Sequence, residues 1–215
     1  GFSKGGFGGG VGVLATPLLL LVLPGNIALS LLLPLLIVCD IFTLRHFPKD
    51  WHPPSYKLLL PGTILGLFGG LAFLVWFAEA ECGEQAIRLV IGVVALGFVV
   101  LKITGPRIRS FISREVKEHH EPGWKIGVFA GFIAGFTTMV AHAAGAIVNM
   151  FLLAQRLGPR EFVGTCARFF LTVNLSKIPL YIAASFLAER DFLTWQTLKW
   201  DLWLVPFCPI GVALG

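Results

Sequence analysis

Charge is what this chain of 215 residues lacks most: Asp, Glu, Lys and Arg together make up 13% of it. Soluble proteins are about a quarter charged, so a water-facing surface cannot be built from this material. Cysteine is sparse as well. Cys39, Cys82, Cys166 and Cys208 show no CxxC spacing, and three of the four lie in apolar stretches. That argues against a disulfide framework or a zinc site and for small buried hydrophobes. Catalytic signatures are missing too: no HExxH, no GxSxG and no deep pair of aspartates, so an intramembrane enzyme is a weak reading. The stretch Gly10-Val11-Gly12-Val13-Leu14-Ala15 fits a loose dinucleotide pattern, but it has no βαβ context and lies in an apolar run.

Hydrophobic residues account for 56% of the chain, with mean hydropathy +0.81. They arrive in runs near the roughly 20 residues that cross about 30 Å of hydrocarbon. Seven segments are expected: Gly1–Leu23, Ile27–Phe47, Tyr56–Phe77, Gln85–Ile103, Trp124–Ala154, Thr165–Leu187 and Leu198–Gly215. Pro24-Gly25, Pro53-Pro54, Gly105-Pro106, Pro122-Gly123 and Gly158-Pro159 punctuate them, as turn chemistry requires. Trp51, Trp76, Trp124, Trp195 and Trp200 fall near segment ends, where an interfacial aromatic belt sits. The fold class is therefore all-α, a polytopic membrane protein with the lipid bilayer as its partner.

The net charge of +5 does not point to nucleic acid, because Lys and Arg sit mostly between apolar runs. There they set orientation. The second, fourth and sixth connections carry eleven of them, against three in the others. The connector of residues 104–123 is therefore predicted to be cytoplasmic.

The chain also resembles itself. GVGVLATPLLLLVLPGNIALS (Gly10–Ser30) aligns without a gap on GAIVNMFLLAQRLGPREFVGT (Gly145–Thr165), Pro24 falling on Pro159. Two pseudo-repeats of three to four helical segments are expected: residues 1–103 and 124–215, joined by the connector. After Gly69 the first half continues through another span, so the second repeat reads as truncated at its C-terminus. Whether the repeats are parallel or inverted depends on the first and fifth segments. Full crossings make them parallel and re-entrant segments make them inverted, and charge counting is blind to the difference.

Those two segments are rich in glycine, in GFSKGGFGGGVG (Gly1–Gly12) and GFIAGFTTMVAHAAG (Gly131–Gly145). Both are expected to be broken, one between about Thr137 and Gly145 and the other within Gly5–Gly12. Broken helices in matching positions mark transport sites, and an exposed helix N-terminus attracts anions. Close packing of small residues between helices is the competing explanation.

Ionisable residues inside spans sharpen the picture, because charge in hydrocarbon costs several kcal/mol. Lys177 lies mid-span. Phe170, Asn174, Lys177 and Tyr181 share one helix face, and Thr165, Arg168, Thr172 and Ser176 form an adjacent polar stripe expected to face a cavity. Asp40 falls within one residue of Asn174 in the repeat register. An ion pair of Asp40 with Lys177 or Lys4 is the structural alternative. Arg168 near a helix end is open to snorkelling, His142 to a core hydrogen bond with a carbonyl, and Thr137 and Thr138 to bonding their own helix.

The opening GFSKGGFGGGVG with ATPLLLL and LPLLIVCD resembles the first half of the sulfite exporter TauE/SafE family. AGFTTMVAHAAGAIVNMFLLAQRL and FVGTCARFFLTVNLSKIPLY resemble its second half. The family often has paired glycines and a proline where this chain has Ala144-Gly145-Ala146. The resemblance implies a multi-pass protein of the bacterial inner membrane that exports or admits sulfite, small organosulfonates or related anions, with no cofactor. Lys4, Lys177 and Arg168 then supply positive charge. Ser3, Thr137, Thr138, Asn149 and Asn174 donate hydrogen bonds to the anion, and Asp40 and His142 couple protons or gate. A passive anion channel shares every one of these features, and a homo-oligomer is compatible with them.

Overall fold

The computed structural model describes residues 15–79, 85, 89–97, 99–100, 103–105, 107–108, 110, 123–187, 199, 201 and 203–214. Among them there is no strand. The helices are α1 (Ala15–Leu20), α2 (Gly25–His46), α3 (Pro53–Glu79), α4 (Trp124–Ala141), α5 (Ala144–Ala154), α6 (Pro159–Leu187) and α7 (Phe207–Leu214). Ile27–His46, Pro53–Trp76, Trp124–Ala141 and Pro159–Leu187 are each long and apolar enough to cross a membrane.

Helix ends follow from local chemistry. Pro53 and Pro159 open α3 and α6 rather than lying in turns, because proline's fixed φ and missing N–H suit the first helical position. The third and sixth segments thus begin earlier than hydropathy suggested. Arg45 and His46 close α2, where cations complement the carbonyl end of the helix dipole.

The tightest contact joins α3 to α4. Gly62, Gly66 and Gly70 on α3 face α4, and Gly127, Gly131 and Gly135 on α4 face α3, each set spaced by four residues along one face. A Cβ on Gly66 would strike the Phe132 carbonyl oxygen, and one on Gly135 would strike the Thr63 carbonyl oxygen. Without Cβ atoms the two backbones close to direct contact, the device that holds membrane helices where hydrophobic attraction is absent. The glycines 131 and 135 therefore serve packing, not the helix break that the sequence suggested.

The same contacts give direction. Leu58 meets Gly127, Gly66 meets Phe136, and Gly70 meets Met139, so α3 and α4 run parallel. α5 then carries the chain back. Gln155, just past its end, accepts a hydrogen bond from Ser55 Oγ at the start of α3. At that same end, His52 N donates to Thr165 Oγ1 over 2.8 Å, and Gly164 lies against Asp50. The fifth segment is therefore a helical hairpin whose two ends both lie beside residues 47–56. α2 runs towards this end and α6 away from it, so the two are antiparallel. Arg156 turns the chain out of α5 with a φ of 58°.

The core lies where α2, α4, α5 and α6 meet. It holds Leu29, Leu33, Met139, Val148, Phe151, Phe169 and Tyr181, each no more than 1% exposed. Leu65, Phe68, Trp76, Phe129 and Phe186 project outward instead, the pattern of side chains facing hydrocarbon. Cys39, Cys166 and Cys208 are buried, in keeping with the sequence reading.

Candidate functional site

The hairpin tip is built on a break without glycine. α4 ends at Ala141, and His142 takes the left-handed conformation, φ 52° and ψ 33°. Ala143 follows at φ −105°, ψ 16°, and α5 restarts at Ala144. The interruption falls inside the expected window, but a histidine turns the chain. The matching break expected within Gly5–Gly12 lies outside the described residues, as do Ser3 and Lys4.

Breaking a helix leaves carbonyls without partners at one end and N–H groups at the other. The carbonyl end of α4 is satisfied from two sides. His142 N donates to the Thr138 oxygen over 3.1 Å and Ala143 N to the Thr137 oxygen over 3.3 Å. From α6, Lys177 Nζ reaches Thr138 O and Thr138 Oγ1, both at 3.2 Å, and Tyr181 OH donates to Met139 O over 3.0 Å. The ammonium thus rests on the negative end of the α4 dipole. At the other end, Ala143 stands at the N-cap of α5 without a polar side chain, and the first residues, Ala144 and Gly145, are buried.

His142 links the tip to both antiparallel helices. Its Nδ1 lies 2.8 Å from Lys177 Nζ, and its Nε2 lies 2.9 Å from the Leu29 carbonyl of α2. Tyr181 sets its ring edge-on, 6.4 Å away. One turn back along α6, Asn174 Nδ2 donates to Asp40 Oδ2 over 2.8 Å. Lys177 and Tyr181 are 0% exposed, Asp40 1% and Asn174 2%. The shared face of Phe170, Asn174, Lys177 and Tyr181 is buried as its spacing predicted.

Five residues singled out in the sequence thus converge: Asp40, Thr138, His142, Asn174 and Lys177. Others stand apart. Thr137 bonds back to Ile133 O over 2.7 Å. Asn149 Oδ1 accepts from the Cys166 thiol at 3.4 Å. Arg168 lies nine residues before Lys177, about 14 Å along the helix. It donates to the Pro48 carbonyl and stacks over Trp51 at 4.7 Å, so it fastens the α2–α3 connection.

The polar stripe of α6 makes hydrogen bonds to its neighbours and to its own helix. Thr165 holds His52 and Glu161 O, Thr172 meets Tyr56 OH at 3.0 Å, and Ser176 is exposed and bonds to Thr172 O. Thr165 and Thr172 thereby anchor α6 around the start of α3.

Two participants were missed. Tyr181 was noted only as part of a face, although its four-residue spacing from Lys177 marked it as a second donor to the same helix end. The Leu29 carbonyl is backbone and leaves no sequence signal. Asp201 was also overlooked. It is 3% exposed, and neither carboxylate oxygen has a hydrogen-bond partner among the described residues.

A family model described as Sulfite exporter TauE/SafE matches residues 1–215, the whole chain. No match was found among curated proteins or among solved structures.

Proposed function

The chain belongs to the sulfite exporter TauE/SafE family, whose members move sulfur anions across membranes, and we propose that it is a secondary transporter of sulfite, small organosulfonates or related anions. It is a multi-pass membrane protein. The observation that carries the reading is the fully buried Lys177 at the tip of the hairpin, where α4 ends and α5 begins, its Nζ on the carbonyl end of α4. A buried ammonium beside the start of a helix suits an oxyanion. Thr138 and Asn174 supply further polar contacts, and Asp40 and His142 are the groups able to exchange protons.

Inverted repeats account for the architecture. The second and sixth segments, equated by the register, run antiparallel, and Asp40 and Asn174, within one residue of equivalence, hydrogen-bond to each other. Contact between near-equivalent positions is what a two-fold axis in the membrane plane produces. Arg45, Lys49, Lys57, Lys125, Arg156 and Arg160 all lie towards the residue 47–56 end, which makes that end cytoplasmic in a bacterial inner membrane.

Flux in proteoliposomes tests the reading. Sulfite, sulfoacetate, sulfate and thiosulfate are offered separately under imposed proton and sodium gradients. Accumulation of one of them above its external concentration supports a coupled transporter. Flux that only dissipates the anion's own gradient identifies a channel, and no flux of any of the four refutes the proposal.

A further inference from the structure

The hydrogen bonds of His142 place its proton. Nε2 lies 2.9 Å from the Leu29 carbonyl oxygen, an atom that only accepts, so Nε2 carries hydrogen. Nδ1 lies 2.8 Å from Lys177 Nζ. Facing nitrogens at that distance share one hydrogen between them. Nζ also donates to Thr138 O and Thr138 Oγ1, so either the three hydrogens of an ammonium serve these two and a bare Nδ1, or a protonated imidazole donates to a neutral amine. In both forms the pair holds one positive charge. A second proton would leave neither nitrogen with a lone pair to accept the bond. It would also put two like charges in a pocket where Lys177 is 0% and His142 8% exposed.

Few other groups nearby can change charge. α6 presents Tyr181, edge-on at 6.4 Å, and α2 presents Asp40, held by Asn174 one turn from Lys177. α5 has no titratable residue, and that of α4 is Lys125 at its start. Among the described residues, α3 has Tyr56 and Lys57 at its start, far from the tip, and Glu79 at its other end.

We infer that the Lys177–His142 pair matches its charge to the bound anion, staying singly positive for a monoanion and taking up one proton for a dianion. This deepens the anion reading of Lys177 and rests on it. The total charge comes out the same in each case. The resting pair meets a monoanion as it stands. A dianion brings one negative charge more, and it is met by a proton from water that adds to the lone pair at the Lys177–His142 contact. Only that hydrogen bond breaks. The Nζ and Nδ1 hydrogens then turn to the anion's oxygens, while Nε2 keeps its bond to Leu29. A dianion is carried with one proton and a monoanion with none. Sulfite, which interchanges between both forms near neutrality, crosses with the same total charge either way.

Binding to the purified full chain in nanodiscs tests this, with thiosulfate as the dianion and methanesulfonate as the monoanion. Calorimetry in buffers of different ionisation enthalpy should give about one proton taken up per thiosulfate, and on the alkaline side its affinity should fall about tenfold per pH unit. Methanesulfonate should show neither effect. His142→Asn keeps a residue tolerant of the left-handed conformation and should flatten the thiosulfate profile. Matching pH profiles for the two anions in the unmodified chain overturn the proposal, as does an unchanged thiosulfate slope in His142→Asn. If Lys177→Met binds both probes normally, or the unmodified chain binds neither, the anion reading falls and this proposal with it. Loss of binding in Lys177→Met alongside a pH-independent thiosulfate affinity removes the proposal alone.

Discussion

Replacing Gly135 by alanine should loosen the seam that holds the hairpin to α3. A Cβ there meets backbone only: the Thr63 carbonyl oxygen, with Thr63 C and Cα at 2.9 Å. Ordinary carbon contacts lie at about 3.5–4.0 Å, so the helices must part by roughly 1 Å, and backbone cannot rotate aside as a flexible side chain can. Overpacking of this kind costs about 1–3 kcal/mol, and the gain in helix propensity returns up to about 1 kcal/mol. For a chain of this size, each net kcal/mol lowers the melting temperature by about 2–4 °C. Gly92, whose Cβ position has nothing within 4 Å, is the control. The assay is thermal unfolding of the purified protein in detergent. Gly135→Ala should melt several degrees below the parent, and Gly92→Ala at or above it. Equal melting temperatures for the two variants would refute the close-packed seam.

Three further expectations concern side chains. Removing either partner of the Asp40–Asn174 bond, as in Asp40→Leu, should cost about 1.5–3 kcal/mol, and the exchanged pair Asp40→Asn with Asn174→Asp should recover most of it. A double-mutant cycle with no coupling would contradict the contact. Arg168→Met should destabilise by about 1 kcal/mol through the lost stacking on Trp51 and leave anion affinity at the central site intact; a large loss of affinity would return Arg168 to that site. Asp201→Asn should raise the melting temperature, since an unpaired buried carboxylate opposes folding, and a lower value would show that Asp201 has a partner.

The fold class was legible because the bilayer constrains composition so strongly. Runs near twenty apolar residues, with proline and glycine between them, have few other outcomes. Helix starts were read late at Pro53 and Pro159, because hydropathy registers where a segment becomes apolar while proline registers where the helix begins. The meeting of Asp40, Asn174, Lys177 and His142 was foreshadowed by their rarity in apolar segments and by the repeat register. The break was anticipated for the wrong reason. Glycine frequency pointed to the right segment, but glycine at four-residue spacing turned out to be packing, and the left-handed turn fell to His142. Arg168 shows the limit from the other side: a cation one helix face away looks equivalent in sequence, and only its reach to Pro48 and Trp51 separates it from Lys177. Backbone partners such as Leu29 O and Met139 O cannot be read from side-chain patterns at all.

Lys177 also caps α4, so loss of transport in a variant means little unless the fold survives. The deciding measurement is therefore sulfite flux into proteoliposomes by Lys177→Met and Lys177→Arg, each reconstituted from the monodisperse fraction with melting temperature recorded alongside. The account predicts that Lys177→Met loses flux almost completely even in preparations that stay folded, and that Lys177→Arg, which keeps the charge, retains a measurable part. Parent-like flux in folded Lys177→Met would contradict it, leaving Lys177 as a helix cap and placing the anion path elsewhere.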